Sequence, residues 1–309
     1  MLIGKGPTAA VVGGGIGGLA TAAALTRAGI QVSVYEQAAE LGEVGAGVLI
    51  GPNSVRLLHR LGLAEAIDEA GGWVGEGSTY YRHDGTRVAP VMTTDSSGWA
   101  AMYGMHRADL IDVLRHAVAD DRIHPGHRAV SFEQDADSAR VVFENGAVAE
   151  ADVVIAADGI HSAMRRFVTE PTAPAFSGQI SYRGVLDTAR VPWWPARIFQ
   201  VWMGEGKHVI VFPVRAGRML NFVCFVPADE AMRESWSAPG DPDALRAAFE
   251  GFAAPVTSLL RQLPHLGQGA NQSIEDAFAL AAALRDASPS DVPAALRRYA
   301  QVRRRRTCA

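Results

Sequence analysis

The chain is poor in the features that mark secreted, membrane-spanning and nucleic-acid-binding proteins. Its 2 cysteines, Cys224 and Cys308, are too few for a disulfide framework and lack the spacing of metal ligands, so no metal site is expected. No uninterrupted apolar run reaches the roughly 18 to 20 residues that a membrane span needs. The 29 basic and 33 acidic side chains nearly balance, which gives no reason to expect a nucleic-acid partner. We therefore expect a cytoplasmic protein with no stable membrane insertion.

Apolar residues and glycine, by contrast, are plentiful. The 309 residues are 48% hydrophobic and include 32 glycines, which is enough for one large α/β domain or two interleaved ones. The apolar, glycine-rich beginning has no clear basic segment and no convincing cleavage site of a signal peptide. We therefore assign it to the mature protein.

A glycine-rich turn near the beginning is the most informative motif. An apolar strand at 9–12 leads into Gly13-Gly14-Gly15-Ile16-Gly17-Gly18, and an alanine-rich helix and a second strand follow. Gly13 allows a sharp turn, Gly15 lets the backbone approach a pyrophosphate, and Gly18 lets the helix pack closely on the strand. The amides at the helix start attract the anion. The pattern predicts a site for the adenosine half of a dinucleotide that includes Ile16 and Gly17.

An acidic residue ends the second strand. Glu36 lies 23 positions after Gly13 (36 − 13), where a carboxylate accepts hydrogen bonds from the ribose hydroxyls and repels a 2′-phosphate. NADP is therefore not expected at this site, and Gln37 is predicted to contact the cofactor beside Glu36. The alternative, a tight βαβ turn that binds nothing, is less favoured because the acid is in register.

The rest of the chain alternates between helical and strand-like patterns. Helices are predicted at 54–70 and 107–120, and hairpins at Asp84-Gly85 and Asn145-Gly146. An apolar run at 151–157 predicts a buried parallel strand, and the region 178–227 predicts a separate antiparallel sheet that is a natural place for a substrate. Asp158 and Gly159 follow the buried strand, at the end of a sheet where α/β proteins bind ligands, although Asp-Gly alone is more often a turn.

Several motifs together resemble those of the FAD-dependent aromatic-ring hydroxylases, the single-component flavoprotein monooxygenases that include salicylate and hydroxynicotinate hydroxylases. The resemblance runs over nearly the whole chain. Its residues are the glycine turn with Glu36, then 41–48, 51–53, 106–110, 157–165, 182–184, 212–214, 221–222 and 267–277.

The resemblance implies an α/β fold with two parts. A Rossmann-like, glutathione-reductase-like FAD-binding domain would comprise 1–72, 102–172 and 264–309, and an inserted antiparallel β-sheet substrate domain would comprise 73–101 and 173–263. Arg107 would reach the FAD phosphate and ribityl region, and Ala46, Gly47 and Val48 would line the flavin. Asp158 and Gly159 would belong to a motif associated with FAD and the pyridine nucleotide. The flavin would also face a helix start formed by Gly267, Gln268, Gly269, Ala270 and Asn271.

The implied activity is hydroxylation of a small aromatic substrate. NADH or NADPH would reduce FAD, and a flavin C4a-hydroperoxide formed with O2 would pass an oxygen atom to the ring. Tyr182, His208 and His265 are candidates for positioning or deprotonating a ring hydroxyl, and Phe212 and Pro264 for further contacts with the substrate. Each of these side chains could instead be ordinary packing, and a homodimer is left open.

The chain departs from this family in one segment. Relatives reach the second glycine turn through a strand ending in Gly-Asp, whereas here 257–262 run directly into Leu263-Pro264-His265-Leu266-Gly267, and the C-terminal end is also short. The missing segment would supply a strand and a carboxylate to the ribityl chain. Two alternatives therefore stay open: a degenerate FAD-fold protein without activity, and a simple NAD-binding oxidoreductase that uses the first glycine turn alone.

Overall fold

A parallel sheet forms the centre of the first structural unit. The computed structural model describes residues 6–41, 46–170, 176–228, 240–263, 284 and 291–307. The sheet has the order β12-β1-β2-β8, with β1 at Thr8–Val12, β2 at Gln31–Tyr35, β8 at Ile123–His124 and β12 at Val153–Ala156. Helix α1, at Ile16–Arg27, connects β1 to its parallel neighbour β2 and buries Leu19 and Leu25. The predicted βαβ unit is confirmed.

Two helical predictions were too long. Instead of one helix over 54–70, α2 covers Pro52–Arg60 and α3 covers Ala64–Ala70, because Gly62 adopts a left-handed φ of +84° that ends the first helix. Helix α4 covers Arg107–Arg115 rather than 107–120. After the helix, the hydrogen bonds join residues three apart instead of four. One of them runs from the Val118 amide to the Arg115 carbonyl, before the chain turns toward β8.

A small antiparallel meander covers part of the parallel sheet. It contains β9 (Ala129–Gln134), β10 (Ala139–Phe143) and β11 (Val148–Ala151). Phe143 and Val141 pack with Ala10 and Val12 of β1. The predicted turn at Asn145-Gly146 is confirmed, since Gly146 has a φ of +83° and the Asn145 side chain accepts a hydrogen bond from the Ala147 amide at 2.9 Å.

The second unit is a six-stranded sheet with the order β13-β16-β15-β14-β5-β6. Its strands are β5 (Thr79–Arg82), β6 (Arg87–Pro90), β13 (Gln179–Asp187), β14 (Gln200–Gly204), β15 (Lys207–Val214) and β16 (Met219–Pro227). The hairpin predicted at Asp84-Gly85 joins β5 to β6. All pairs are antiparallel as predicted, except β14 with β5, which is parallel.

The two faces of this sheet pack against different elements. One face buries Val209, Val211 and Phe222 against α5 (Pro242–Ala248) and α6 (Ala254–Leu260). The other face carries Phe212 and Val214 and packs on a three-stranded sheet of β3 (Gly47–Ile50), β7 (Met102–His106) and β4 (Gly72–Val74). The expected α/β architecture with an inserted, largely antiparallel sheet is confirmed.

Glycines bring these two sheets into close contact. A Cβ on Gly104 would lie 2.1 Å from the Pro213 carbonyl oxygen, and one on Gly72 would lie 2.4 Å from the Pro213 carbonyl carbon. Any other residue at either position would push the sheets apart. The hairpin of β15 and β16 is therefore fixed against β7 at backbone distance.

Strand β12 is the edge of the parallel sheet in the described part of the chain, where it pairs with β1 alone. Val153 is buried, but Val154 and Ile155 are only half-buried and Ala156 is exposed. The prediction of a strand buried on both faces was therefore too strong. The final helix α7, at Val292–Thr307, contributes Val292 and Ala295 to the core behind β1 and β2. No helix in the described ranges has the length and apolarity to cross a membrane.

Candidate functional site

The glycine turn leaves an opening in front of helix α1. Gly13 has a φ of +109°, and a Cβ there would lie 2.3 Å from the Ala157 carbonyl oxygen. A Cβ on Gly18 would lie 1.8 Å from the Gly13 carbonyl oxygen, so both positions require glycine. At Gly15, by contrast, the described part of the chain places no atom beyond the two neighbouring residues within 4 Å of the added Cβ. The first amides of α1 therefore face a gap that can admit an anion such as a pyrophosphate.

Glu36 is held beside this gap by two backbone amides. Its Oε2 accepts from the Gly14 amide at 2.6 Å and its Oε1 from the Ala38 amide at 2.8 Å. A carboxylate oxygen has two lone pairs, so each of these oxygens can still accept a hydroxyl hydrogen bond. This arrangement suits recognition of a ribose.

An open polar cavity of about 440 Å³ continues beyond Glu36. Its lining residues are Gln37, Ala38, Gly126, Arg128, Glu144 and Asn145. The sequence pattern identified Gln37, which follows the acid, but gave Arg128 and Glu144 no role. They come from the loop before β9 and the hairpin after β10, and only the fold brings them next to β2.

Asp158 lies directly across from the glycine turn. Its carboxylate accepts from the Ser162 hydroxyl at 2.6 Å and from the Met164 amide at 3.1 Å, so it orders the turn that follows β12. Gly159 has a φ of +80°. A Cβ on Gly13 would lie 2.9 Å from the Asp158 amide nitrogen, which places the Asp158-Gly159 pair at the edge of the gap in front of α1.

The segment 46–48 and Arg107 lie side by side at the other end of the unit. Gly47 pairs with His106 across β3 and β7, and the Arg107 amide donates to the Ala46 carbonyl at 3.2 Å. Arg107 is half-buried, and this burial lowers the pKa of its guanidinium. Val48 and Ile16 of helix α1 belong to the same apolar core. This core therefore connects the 46–48 segment to the glycine turn.

The six-stranded sheet supplies one wall next to Gly47. The Gly47 amide donates to Oδ1 of the buried Asn221 at 2.6 Å, and a Cβ on Gly47 would lie 2.9 Å from Cε2 of Phe212. Asn221 belonged to the motifs on which the family resemblance rested, but sequence reasoning assigned it no role. Its position opposite Gly47, 174 residues away along the chain, carries no local signal.

The substrate candidates divide between the two faces of this sheet. His208 and Phe212 alternate with Val209 and Val211, so they lie on the face toward β3 and β7. The His208 ring stacks on Phe225 with 4.4 Å between centroids, and burial lowers the pKa of His208. Tyr182 packs with the core on the opposite face, where burial and the negative charge of Asp241 raise its pKa.

A second arginine lies on the same face as His208. Arg183 of β13 is half-buried, and its Nε donates to the Ser181 hydroxyl at 3.3 Å. Burial and the nearby positive charge of Arg107 lower the pKa of Arg183 to about 10. The face therefore combines aromatic side chains with positive charge, which favours a planar ligand that carries negative charge.

The geometry fits an extended dinucleotide. The gap in front of α1 and the carboxylate of Glu36 suit the adenosine and pyrophosphate half, and the backbone of 46–48 beside Arg107 offers a second contact region. Gly267, Gln268, Gly269, Ala270 and Asn271 lie outside the described residues, as do Pro264 and His265.

Comparisons with known proteins identify the family. Residues 7–259 match the family described as FAD binding domain. The chain is 35% identical to the 3-amino-4-hydroxybenzoate 2-monooxygenase PtmB3 of Streptomyces platensis, over 96% of this chain and 84% of that protein. It is 32% identical to a salicylate hydroxylase of Pseudomonas putida, over 96% and 82% of the two chains.

Solved structures agree with these matches. A salicylate hydroxylase substrate complex superposes with a TM-score of 0.80 at 27% identity, covering 98% of this chain and 85% of the other. Klebsiella pneumoniae HpxO with FAD and uric acid superposes with a TM-score of 0.77 at 28% identity, covering 95% and 83%.

The same comparisons bear on the missing segment. The match to the Streptomyces enzyme spans 341 positions, whereas this chain has 309 residues, so at least 32 positions (341 − 309) of that relative have no counterpart here. The absence of the Gly-Asp strand in particular stays a prediction from the sequence. The fold, the glycine turn and the matched motifs nevertheless extend over most of the chain, which belongs to the family of FAD-dependent aromatic hydroxylases.

Proposed function

We propose that this FAD-dependent monooxygenase binds a small aromatic substrate on the face of the six-stranded sheet that carries His208 and Phe212. NADH or NADPH and O2 are the co-substrates. The observation that carries the proposal is the contact between Phe212 and Gly47, since it places this face directly beside the segment assigned to the flavin.

The cofactor residues keep the roles given by the sequence. Gly13 makes the sharp turn, Gly15 lets the backbone approach the pyrophosphate, and Gly18 lets α1 pack closely on β1. The amides at the start of α1, with Ile16 and Gly17, attract the pyrophosphate, and Glu36 and Gln37 contact the adenosine end. Ala46, Gly47 and Val48 line the flavin beside Arg107. Asp158 and Gly159 belong to the motif associated with FAD and the pyridine nucleotide, and residues 267–271 are assigned to the flavin's pyrimidine side.

The protein's contribution is placement and exclusion of water. FAD supplies the redox chemistry, accepting electrons from NAD(P)H and activating O2 for attack on the ring. Phe212 and the half-buried Ile210 give the proposed substrate face an apolar surface. An apolar, closed surface suppresses the wasteful release of peroxide by keeping water from the reacting atoms.

His208 is the group best suited to a proton-transfer role. Because burial lowers its pKa below the ordinary value of 6.5, its imidazole is neutral at neutral pH and can accept a proton from a ring hydroxyl. Tyr182 is a weaker candidate because it lies on the other face of the sheet. Pro264 and His265 remain candidates from the sequence for contacts with the substrate.

The substrate proposed is a small hydroxylated aromatic acid. Arg183 supplies positive charge on the same face as His208, so an anionic group and a ring hydroxyl could be bound at two separate points. The matched relatives are named for acids such as 3-amino-4-hydroxybenzoate and salicylate, which supports this class.

The division into an FAD domain (1–72, 102–172 and 264–309) and a substrate domain (73–101 and 173–263) is also a proposal, as are a homodimer and a cytoplasmic location. The six-stranded sheet draws strands from both substrate segments, which supports the division. Light scattering on the purified protein tests the dimer.

The test of this function is turnover by the FAD-loaded protein with a panel of hydroxylated aromatic acids. We expect NAD(P)H oxidation to rise with a substrate of this class and a hydroxylated product to appear. The His208→Asn variant should bind FAD normally but lose turnover, whereas His116→Asn, at an exposed position, should behave as wild type. FAD-loaded protein that makes no product from any acid of the panel contradicts the proposal.

A further inference from the structure

Asn221 is a polar side chain in an apolar setting. It lies on β16 with no exposed surface, and its neighbours on the same face of the strand are Met219 and Val223. Its Oδ1 accepts the Gly47 amide at 2.6 Å. Among the described residues, its Nδ2 has no hydrogen-bond partner.

An unpaired buried amide group lowers stability, so packing alone does not account for asparagine at this position. An apolar side chain of similar volume would fit the face without an unsatisfied donor. What it could not provide is an acceptor for the Gly47 amide. The role of Asn221 therefore lies in its bond to Gly47.

Gly47 is enclosed by the same side chain. A Cβ there would lie 2.8 Å from both Cβ and Cγ of Asn221 and 2.9 Å from Cε2 of Phe212. On its other side, β3 is bonded to β7, and the Arg107 amide donates to the Ala46 carbonyl. The start of β3 is thus held between β7 and the six-stranded sheet.

A second contact joins the same hairpin to the segment that carries Arg107. Arg215, in the turn between β15 and β16, donates from Nε and Nη2 to the two carboxylate oxygens of Asp109 at 3.1 and 3.3 Å. Asp109 lies two residues after Arg107 in helix α4. One hairpin therefore contacts both the 46–48 segment and the start of α4.

We propose that Asn221 is a positioning residue that fixes the Gly47 backbone and so sets the position of the 46–48 segment relative to the substrate face. The effect of Asn221 on FAD rests on the proposed role of 46–48 in lining the flavin. Its effect on the Gly47 backbone does not, and can be measured without cofactor. Loss of the Oδ1 acceptor should loosen this segment and weaken FAD binding.

Three variants separate positioning from packing. Asn221→Leu removes the acceptor at similar volume, and Asn221→Asp retains an acceptor oxygen in case the leucine variant does not fold. Val223→Ala, two residues along the same face, removes buried volume without affecting the Gly47 bond. Each is compared with wild type for amide hydrogen exchange at Gly47 in the cofactor-free protein and for the dissociation constant of FAD.

In Asn221→Leu we expect Gly47 exchange to rise and FAD affinity to fall, each by about tenfold, the size of one hydrogen bond. We also expect a larger share of the NAD(P)H consumed to yield peroxide rather than product. Val223→Ala should lower the melting temperature without changing either Gly47 exchange or FAD affinity. Asn221→Asp should show exchange closer to wild type than Asn221→Leu.

Unchanged Gly47 exchange in Asn221→Leu overturns the positioning role. Faster exchange with unchanged FAD affinity overturns the link to the cofactor. A wild-type protein that binds no FAD refutes the proposed function instead, and the exchange comparison still tests whether Asn221 fixes Gly47.

Discussion

Arg215 donates two hydrogen bonds to Asp109, and these bonds join the β15–β16 turn to the helix that begins at Arg107. The two side chains are 40% and 24% exposed, so solvent screens the pair and its direct contribution to stability should be below about 1 kcal/mol.

We predict that Arg215→Met lowers the melting temperature only slightly but weakens FAD binding several-fold, because the start of α4 is less well held. Arg218→Met, an exposed position in the same turn, is the matched control. Fluorescence titration measures the FAD affinity of both variants. Equal affinities would contradict the role of Arg215 in holding the start of α4.

Gly15 separates cofactor binding from folding. Because a Cβ at this position would meet no atom of the described residues within 4 Å, apart from its two chain neighbours, Gly15→Ala should leave the stability of the cofactor-free protein nearly unchanged. The added methyl group would occupy the space in front of α1, so FAD affinity should fall at least about tenfold, equivalent to about 1.4 kcal/mol.

Gly13→Ala provides the contrast. It forces a side chain into a backbone position with a φ of +109° and a contact of 2.3 Å, so the cofactor-free protein itself should be destabilised. Thermal unfolding with and without FAD measures both variants. Wild-type FAD affinity in Gly15→Ala would show that the pyrophosphate does not bind in front of α1.

Glu36 should contribute to affinity through its charge. Glu36→Gln keeps an oxygen for one backbone amide but weakens the bonds to the ribose hydroxyls, so FAD affinity should fall about tenfold. The exposed Glu40→Gln, on the same loop, should have no effect. Calorimetric titration measures the FAD affinity of both variants. Identical affinities would show that Glu36 does not contact the cofactor.

His208 should produce an acid limb in the pH profile. Burial lowers its pKa below 6.5, so the neutral base is present at neutral pH and is lost as the pH falls through the lowered value. We predict that kcat/KM decreases below that pH and that His208→Asn removes this limb together with most of the activity.

The same shift affects stability. As the pH falls below 6.5, the unfolded chain takes up a proton at His208 before the folded chain does, so this residue makes folding less favourable toward acid pH. The free energy of unfolding of His208→Asn should therefore depend less on pH as the pH falls below 6.5 than that of wild type. An identical dependence in the two proteins would exclude this contribution.

Tyr182 and Phe212 should respond differently to substitution because they lie on opposite faces of the sheet. Tyr182→Phe should keep near-normal turnover. Phe212→Ala should raise KM and release more peroxide, since it opens the wall beside Gly47. Loss of turnover in Tyr182→Phe with FAD still bound would show that the Tyr182 hydroxyl takes part in the reaction.

The local parts of the site could be predicted from the sequence. Gly18 and Glu36 are constrained by contacts with Gly13 and Gly14 inside one βαβ unit, so their spacing alone indicates the turn. Helix ends were less predictable. The break at Gly62 depends on a single left-handed residue inside an otherwise helical pattern.

The contacts between distant segments could not be predicted in this way. Arg128 and Glu144 reach the cavity beside Gln37 only because the meander packs on the parallel sheet. The Asn221–Gly47 bond depends on how two sheets are stacked. Likewise, alternation along β13 does not reveal which face of the sheet will meet β3, so Tyr182 could not be separated from Arg183 by sequence.

The oxygen chemistry of this protein can be tested with isotope-labelled O2 during turnover by the FAD-loaded protein with a hydroxylated aromatic acid and NAD(P)H. We expect a product whose new ring hydroxyl carries the label from O2, formed only when substrate is present. NAD(P)H oxidation by the FAD-loaded protein that yields peroxide alone for every aromatic acid, with no labelled product, would contradict it.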